Sequence, residues 1–438
     1  MVTAGLRRAV AHLNAPFGVL DRDAFDANAA ALRDRAGGLP IRVASKSLRV
    51  PAAIERVLAR DGFAGVLAFS LAEALALHAR GIRDIVVAYP SVDRTALAAL
   101  AAAPEAAAHI TLMVDHPDQL DLIEQAAAAA APEAVLRVCI DIDGSLRLAG
   151  LHIGARRSPL HEIGQVLALV GDIGARQRVR LVGLMCYEGQ IAGVPNAGWQ
   201  PRQAMLRRLQ SHSVRELAER RNAIVAAVRA EAELTFVNGG GTGSLETSAA
   251  EGSLTEVAAG SGLFAPASFD RFAHFRHTPA AYFTAPVVRI PAPDWVTVSG
   301  GGWIASGAAA ADRLPTVAWP TDLAPSGSEG VGEVQTPLTG RGARQLRIGD
   351  HVFFRHAKAG ELAEHLSRFH VVAGGTIVDT WETYRGLGWN FETGMNEQPR
   401  DAAGSPEQKE HAHDNHSPQL VGQRLVPSAD PPHAQQRR

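Results

Sequence analysis

The feature that most constrains the fold is an alternation of short β-branched segments with longer runs of helix-forming residues, which extends from about residue 15 to residue 265. This alternation is typical of parallel sheets, in which a helix connects each strand to the next. Eight segments have the pattern of strands: 40–44, 65–69, 85–88, 110–114, 135–140, 179–185, 235–237 and 255–259. Because eight such units close on themselves, the sequence predicts a (β/α)8 barrel rather than an open doubly wound sheet.

The character of the sequence changes after about residue 277, where valine, threonine, tryptophan, glycine and many prolines replace the helical pattern. This pattern predicts a smaller, β-rich C-terminal domain. From Asn396 onward the chain has almost no aliphatic clusters, so it cannot bury enough apolar surface to offset the entropy of ordering. We therefore predict a barrel over residues 1–275, a β-rich domain over 276–395 and a disordered tail over 396–438.

The composition argues against several classes of protein. The net charge is −2, so no overall field attracts the protein to nucleic acid or to an anionic membrane. Cys139 and Cys186 lie in apolar runs without metal-binding spacing, which predicts reduced, buried thiols. No segment has the roughly 20 uninterrupted apolar residues of a membrane span, and the first residues lack the apolar core of a signal peptide. The sequence predicts a cytoplasmic protein that acts on a small molecule.

A lysine follows the first predicted barrel strand directly, in the segment IRVASKS, where it is Lys46. The end of a barrel strand lies at the C-terminal mouth, where the catalytic groups of such barrels gather. Apolar surroundings and the nearby Arg49 would lower the pKa of this amine and make it an imine-forming nucleophile. The alternative is a lysine that reaches from the strand end into solvent.

Glycine-rich turns follow two late strands of the predicted barrel. The segment VNGGGTGS frees backbone N–H groups to surround a phosphate, and the hydroxyls of Thr242 and Ser244 add donors. No lysine follows these glycines, so the turn is not a Walker loop. A second small-residue turn, Gly260-Ser261-Gly262, follows the next strand. Together the turns predict a phosphate site, and the alternative is a pair of flexible surface loops.

Arg147 comes shortly after the buried strand that ends near Ile140. An arginine at this place can bond a cofactor's ring oxygen or a carboxylate. An ion pair with Asp141 or Asp143 is the alternative, and the segment alone does not decide between them.

Several motifs in order resemble one family. They are SKS at Lys46, LMCYEG ending at Gly189, the triple-glycine turn and EVAAGS ending at Ser261. This order resembles the fold type III pyridoxal phosphate enzymes, which include alanine racemase, and is most similar to the D-threonine aldolase and D-serine dehydratase group. The resemblance covers roughly residues 15–390.

The resemblance implies a Schiff base between Lys46 and pyridoxal 5′-phosphate, with Arg147 near the pyridoxal hydroxyl and Tyr187 near the ring. It implies that the cofactor's phosphate is held by Gly240, Gly241, Thr242, Gly243, Gly260 and Ser261. It also implies a β-domain over the barrel mouth and a head-to-tail homodimer.

Two positions depart from the family's pattern. The aldolases and dehydratases bind a divalent metal with a His-x-Asp or His-x-Cys pair, whereas this chain has His356-Ala-Lys358. An ammonium group repels a divalent cation, so the sequence argues against the metal and leaves His356 as the remnant of its pair. The aldolases also have a histidine where this chain has Gln190, and an amide cannot act as a base.

Three functions follow from these residues. The first is a pyridoxal phosphate-dependent lyase for a D- or 3-hydroxy amino acid, in which Lys358 or His356 faces the substrate in place of the metal. The second is an amino-acid racemase, whose second base would be Tyr282 or, with better placement, Tyr384. The third is a pyridoxal carrier without turnover, which the additional β-rich domain disfavours.

Overall fold

The computed structural model describes residues 2–131, 133–148, 150–358 and 360–391. The predicted disordered tail, 396–438, lies outside the described residues. The strands are β1 (Gly18–Asp21), β2 (Ile41–Ala44), β3 (Phe63–Ala68), β4 (Ile85–Val87), β5 (Ile110–Val114), β6 (Leu136–Asp141), β7 (Leu146–Leu148), β8 (Leu151–Ile153), β9 (Val179–Cys186), β10 (Phe236–Gly239), β11 (Glu256–Ala259), β12 (Ala281–Ala292), β13 (Trp295–Ser299), β14 (Thr316–Trp319), β15 (Ala324–Pro325), β16 (Gln335–Thr339), β17 (His351–Arg355), β18 (Arg368–Ala373) and β19 (Thr376–Glu382).

The helices are α1 (Ala4–Val10), α2 (Arg22–Arg35), α3 (Pro51–Leu58), α4 (Leu71–Ala79), α5 (Arg94–Ala101), α6 (Pro104–His109), α7 (Pro117–Ala130), α8 (Ile163–Gly174), α9 (Gly189–Ala192), α10 (Pro201–Glu231), α11 (Leu245–Ala249), α12 (Ser261–Phe264) and α13 (Glu361–His365). None of them combines the length and apolar character that a membrane crossing needs, within the part of the chain that is described.

Eight parallel strands close the predicted barrel, in the order β10-β11-β2-β3-β4-β5-β6-β9. Each of the eight predicted segments supplies one strand, so the predicted (β/α)8 fold is confirmed. The buried Arg42 guanidinium lies at the N-terminal end of the barrel, where it contacts the buried Glu256 at 2.6 Å and the exposed Asp84 at 3.1 Å. These polar groups close the end opposite the C-terminal mouth.

The second part of the chain forms the predicted β-rich sheet, which has nine strands. Strand β1, from the N-terminal region, lies inside this sheet, antiparallel to β12 and parallel to β18. The predicted barrel range of 1–275 therefore includes a strand that pairs with the C-terminal region. Strand propensity indicates an extended, apolar segment, but it does not indicate the partner strand, because that partner is distant in the sequence.

Aromatic side chains join the sheet to the barrel. Phe264 of α12 packs between Phe25 of α2 and Phe369 of β18, with ring centroids 6.1 and 5.8 Å away. All three rings are buried, so the sheet and the barrel share one apolar core. This packing fixes the β-rich region against the barrel. Cys139 and Cys186 are buried and unpaired, as predicted.

Candidate active site

A cavity of about 780 Å³ lies at the C-terminal ends of the barrel strands. The barrel contributes residues that follow β2, β4, β9, β10 and β11, and the β-rich region contributes two loops, around residues 304–313 and 358–365. The residues that matter for its chemistry are Lys46, Tyr89, Arg157, Tyr187, Gly240, Gly241, Thr242, Gly260, Ser261, Arg313, Lys358 and Glu361. This end of a (β/α)8 barrel is where active sites occur.

Lys46 lies in this cavity, within a single 3-10 turn that follows β2. Its Nζ donates a hydrogen bond to Tyr89 Oη at 3.2 Å. A second aromatic ring, that of Tyr187, lines the same cavity, and burial raises the pKa of its phenol to about 12. The structure therefore brings a primary amine together with two tyrosine side chains.

The two predicted glycine turns meet in the cavity and contact each other. Ser261 Oγ lies 2.9 Å from Ser47 Oγ, and Gly262 N donates to Thr242 Oγ1 at 3.1 Å. Gly240 has a φ of +81°, which favours glycine, and a Cβ on Gly260 would lie 2.5 Å from the carbonyl oxygen of Ala44.

These turns have the character of an anion site. Gly240, Gly241, Thr242, Gly260 and Ser261 all line the cavity. Gly240 N and Gly241 N already bond Glu188 and Ser244 Oγ, so the hydroxyl groups of Thr242 and Ser261 are the donors left for an anion. Gly243, also predicted to bind phosphate, does not line the cavity, and its Cα packs against the carbonyl of Ala192, where a Cβ would approach to 2.2 Å.

A buried carboxylate, Glu188, supports the triple-glycine turn from below. It accepts hydrogen bonds from Gly240 N at 3.2 Å and from Ser244 Oγ at 2.7 Å, and Arg221 Nη2 contacts it at 2.9 Å. Arg221 is itself buried and also binds Glu251 at 2.7 Å. Glu188 was not among the predicted site residues. Its position directly after the apolar segment LVGLMCY indicates a buried carboxylate at the end of a barrel strand.

We predict that Glu188→Gln lowers the free energy of unfolding by about 3 kcal/mol or more, because it removes one charge from a buried ion-pair network. Urea unfolding of the purified protein measures this change. Asp294→Asn is the matched control, since it breaks an exposed pair with Arg344, and we expect it to have a small effect. Equal effects of the two substitutions would contradict the prediction.

Arg147 is not brought to the cavity. It lies on β7, its side chain is 45% exposed, and its Nη2 donates to Asp143 at 2.9 Å, which is the ion-pair alternative. The β7–β8 hairpin moves this part of the chain outward, and the next loop places Arg157 in the cavity instead. The Arg157 guanidinium carbon lies 5.4 Å from the Tyr89 ring centroid and 5.9 Å from that of Tyr187. Arg157 was not among the site residues predicted from the sequence.

Lys358 enters the cavity from the loop after β17. Its pKa is lowered, first by burial and then by the positive charges of Arg313 and Lys46, while Glu361 opposes the shift. Its Nζ is 3.5 Å from the carbonyl oxygen of Ser306. A half-buried amine with this surrounding charge loses its proton more readily than a free lysine does.

His356 does not reach the cavity, in contrast to the expectation that it could face the substrate. Its ring is buried and packs edge-on against Phe264, at 6.4 Å between centroids. Burial, together with Arg355, lowers its pKa to about 3, so the imidazole is neutral. In an extended strand His356 and Lys358, two positions apart, would lie on the same side. Strand β17 ends at Arg355, however, and the two side chains diverge in the segment that follows, which the sequence pattern HAK does not show.

The lysine content of the chain is a further signal for this site. The sequence has three lysines, Lys46, Lys358 and Lys409, among 43 basic residues. Two of them line one cavity. An arginine stays charged at all ordinary pH values, whereas a lysine amine can lose its proton and act as a nucleophile or base. Two of the three lysines therefore lie where a side chain that can form an imine is chemically useful.

The two tyrosines predicted as racemase bases are both buried outside the cavity. Tyr384 Oη donates to Glu73 at 2.7 Å, and burial raises the pKa of that carboxyl group to about 7. Tyr282 Oη donates to the carbonyl of Pro279 at 2.9 Å. Neither residue lines the cavity of this chain. Their hydroxyl groups are instead used in hydrogen bonds within the protein interior.

Potential metal ligands gather elsewhere. Over the described residues, the one group of three is His78, Glu105 and His109, whose ligating atoms lie within 4.8 Å of one another on α4 and α6. None of the three lines the cavity. The predicted metal remnant, His356, is not part of this group.

A (β/α)8 barrel with a lysine and paired glycine turns at its C-terminal mouth, joined to a β-rich sheet, is the arrangement of the fold type III pyridoxal phosphate enzymes. The family model for the alanine racemase N-terminal domain matches residues 20–267, more than half of the chain. The chain belongs to this family, which confirms the resemblance inferred from its motifs.

Similar proteins agree with this assignment. D-threonine aldolase of Arthrobacter sp. is 29% identical over 301 residues, which are 67% of this chain and 73% of that protein. The D-threonine aldolase structure from Filomicrobium marinum has a TM-score of 0.73 at 22% identity and covers 85% of this chain and 96% of its own. D-threo-3-hydroxyaspartate dehydratase from Delftia sp. HT23 has a TM-score of 0.63 at 22% identity, with 86% and 98% covered. The structural likenesses show the fold, including the β-rich sheet.

Proposed function

We propose that the protein is a pyridoxal phosphate-dependent lyase, of the aldolase or dehydratase type, that acts on a D- or 3-hydroxy amino acid. The observation that carries this proposal is the presence of both Lys46 and Lys358 in one cavity with the paired glycine turns. The names of the relatives support the substrate class, because threonine and 3-hydroxyaspartate both have a 3-hydroxyl group.

The cavity residues fit the cofactor. Lys46 offers the primary amine that binds its aldehyde carbon. Gly240 N and Gly241 N are already bonded to Glu188 and Ser244, so the donors that the two turns offer to its phosphate are the hydroxyl groups of Thr242 and Ser261. When bound, pyridoxal phosphate supplies an electron sink for the charge that develops beside the substrate's amino group. Arg157 offers a planar pair of donors to an anionic oxygen of the cofactor or of the substrate carboxylate.

Lys358 has the chemistry required at the substrate's 3-hydroxyl group. Cleavage of the bond between the α- and β-carbons needs a base that takes the proton of this hydroxyl, and loss of the hydroxyl as water needs an acid that donates to the same oxygen. Because its pKa is lowered, Lys358 gives up its proton more readily than a free lysine and can serve as the base, and its ammonium form can serve as the acid. It would take the place of the divalent metal that its ammonium form repels.

The alternative is an amino-acid racemase, and structures of racemases share the fold: alanine racemase from Corynebacterium glutamicum has a TM-score of 0.54. A racemase needs a second base opposite the first. Neither Tyr384 nor Tyr282 lines the cavity, so we place the lyase ahead of the racemase.

Mass spectrometry of the products tests the proposal. The purified protein, loaded with the cofactor, is incubated with D- and L-amino acids, including the 3-hydroxy ones, in heavy water with and without a chelator. We expect either glycine with an aldehyde or a keto acid with ammonia, unaffected by the chelator. Deuterium exchange with inversion and no cleavage would establish a racemase, and binding without any exchange would establish a carrier.

We predict that Arg157→Ala weakens cofactor or substrate binding by about tenfold or more, because it removes a charged hydrogen-bond donor from the cavity. Arg147→Ala, the corresponding change at the position that the sequence indicated, is expected to alter binding little. Fluorescence titration of the cofactor and the KM for substrate measure both variants. A larger effect at Arg147 would contradict the geometry and favour the sequence-based assignment.

The homodimer and the cytoplasmic location stay predictions. Light scattering on the purified protein tests the first of them.

A further inference from the structure

The group of possible metal ligands formed by His78, Glu105 and His109 joins two helices of the barrel. His78 belongs to the last turn of α4, and Glu105 and His109 belong to α6. The three ligating atoms lie within 4.8 Å of one another, and none of the three residues lines the active-site cavity. The group is therefore separate from the site described above.

The distance between the two imidazoles matches what one metal ion requires. His78 Nε2 lies 3.4 Å from His109 Nδ1, and the ring centroids are 5.5 Å apart. Zinc binds imidazole nitrogens at roughly 2.0–2.1 Å, so two such ligands of one tetrahedral ion are roughly 3.3–3.4 Å apart. The same distance is long for a hydrogen bond from an N–H group. The two nitrogens thus already have the separation that a shared ion needs.

The ligands also have the charges that a zinc site requires. The pKa of His78 is lowered, first by burial and then by the charges of Arg83 and His109, while Glu105 opposes the shift. A neutral imidazole is the form that binds a metal ion. Glu105 adds a negative charge that offsets part of the charge of the ion. Two nitrogen ligands favour Zn²⁺ over Mg²⁺ and Ca²⁺, which prefer oxygen.

Two contacts of these ligands are exchanged when an ion binds. His109 Nδ1 lies 2.9 Å from the backbone carbonyl oxygen of Glu105, and the proton that it donates there is released to the solvent. The Glu105 carboxylate lies 2.7 Å from Arg83 Nη2. Both side chains of this pair are exposed, and an exposed ion pair stabilises a protein little, so the exchange costs little free energy.

We propose that His78, Glu105 and His109 bind one Zn²⁺ ion, which links α4 to α6. Three protein ligands leave one position of a tetrahedral ion open, and water takes this position because the group lies at the surface. The ion stabilises the outer layer of the barrel and takes no part in the reaction, since it lies outside the cavity. This inference is independent of the proposed function.

The test uses the full-length, cofactor-loaded enzyme after dialysis first against a chelator and then against buffer. Calorimetry measures Zn²⁺ binding, and urea unfolding with and without Zn²⁺ measures the stabilisation. We expect Zn²⁺ to raise the urea midpoint, because an ion that binds the folded site stabilises the folded state. His78→Ala and His109→Ala are expected to weaken this binding by at least about tenfold and to abolish the rise. His212→Ala, a change at an exposed histidine of α10, is the matched control and is expected to alter neither.

Arg83→Gln tests the same site in the opposite direction, and it keeps the inference testable if an alanine variant does not fold. It removes the cation that competes for Glu105, so we expect Zn²⁺ to bind about threefold tighter or more. Unchanged or weaker binding in Arg83→Gln would overturn the inference, as would an unmodified enzyme that binds no Zn²⁺. Binding that persists in His78→Ala and leaves the urea midpoint unchanged would also overturn it. The ion would then belong to other histidines of the chain, such as His411, His413, His416 and His433.

Discussion

Replacement of Lys46 by alanine is expected to abolish turnover, with a loss of at least about 10³-fold in kcat, and to remove the visible absorbance of a lysine-bound pyridoxal cofactor. Lys46 Nζ lies in the cavity beside Tyr89 and the two glycine turns, so its removal leaves the cofactor with noncovalent contacts only. Lys46→Arg keeps the positive charge and is expected to fail as well, because a guanidinium does not lose its proton.

Borohydride reduction followed by peptide mass spectrometry measures the attachment directly. We expect the modified peptide to contain Lys46. Since the chain has three lysines, modification of Lys358 or Lys409 is a clear alternative result and would contradict the assignment. Retained turnover in Lys46→Ala would do the same.

Replacement of Lys358 by alanine is expected to lower kcat by about 10²- to 10⁴-fold, the range for loss of a general acid or base, while the absorbance of the bound cofactor persists. Lys358 lines the cavity from the β-rich region, so its side chain faces the site without forming the anion cradle. This combination, in which chemistry is lost and cofactor binding is kept, separates Lys358 from Lys46. Normal turnover in Lys358→Ala would show that the residue is not part of the reaction.

The pH profile decides which reaction Lys358 serves. Its pKa is lowered from the ordinary lysine value, so its titration falls at a lower pH than that of a free amine. In an aldolase the neutral amine is the active form, and kcat/KM rises with pH through this pKa. In a dehydratase the ammonium is the active form, and kcat/KM falls with rising pH. The corresponding limb should be absent from the profile of Lys358→Ala.

The closed barrel was predictable because its signals are local. Each strand is a short run of β-branched residues that ends before a helical segment. The spacing of apolar residues within each segment indicates whether it is a strand or a helix. Lys46 and the two glycine turns were predictable for a related reason. They follow barrel strands directly, and parallel strands bring all their C-terminal ends to one mouth.

The position of Arg147 could not be predicted from such local patterns. Its distance from β6 along the chain suggested a position at the mouth, but Arg147 lies on β7, which pairs with β8, and its half-exposed side chain binds Asp143. Arg157, ten positions later, occupies the cavity instead. The direction of a loop depends on contacts with the rest of the molecule, which local propensity does not record.

The sequence by itself determined the eight-stranded barrel, the β-rich region, the family and the lysine and glycine turns at the mouth, because all of these depend on patterns within short stretches or on their order. Only the tertiary structure decided that β1 joins the C-terminal sheet, that Glu188 supports the glycine turn, that Lys358 lines the same cavity as Lys46 and that His356 and Tyr384 are buried elsewhere. These arrangements join residues tens to hundreds of positions apart, and their partners are selected by packing and by the need to pair buried polar groups, which no single segment encodes.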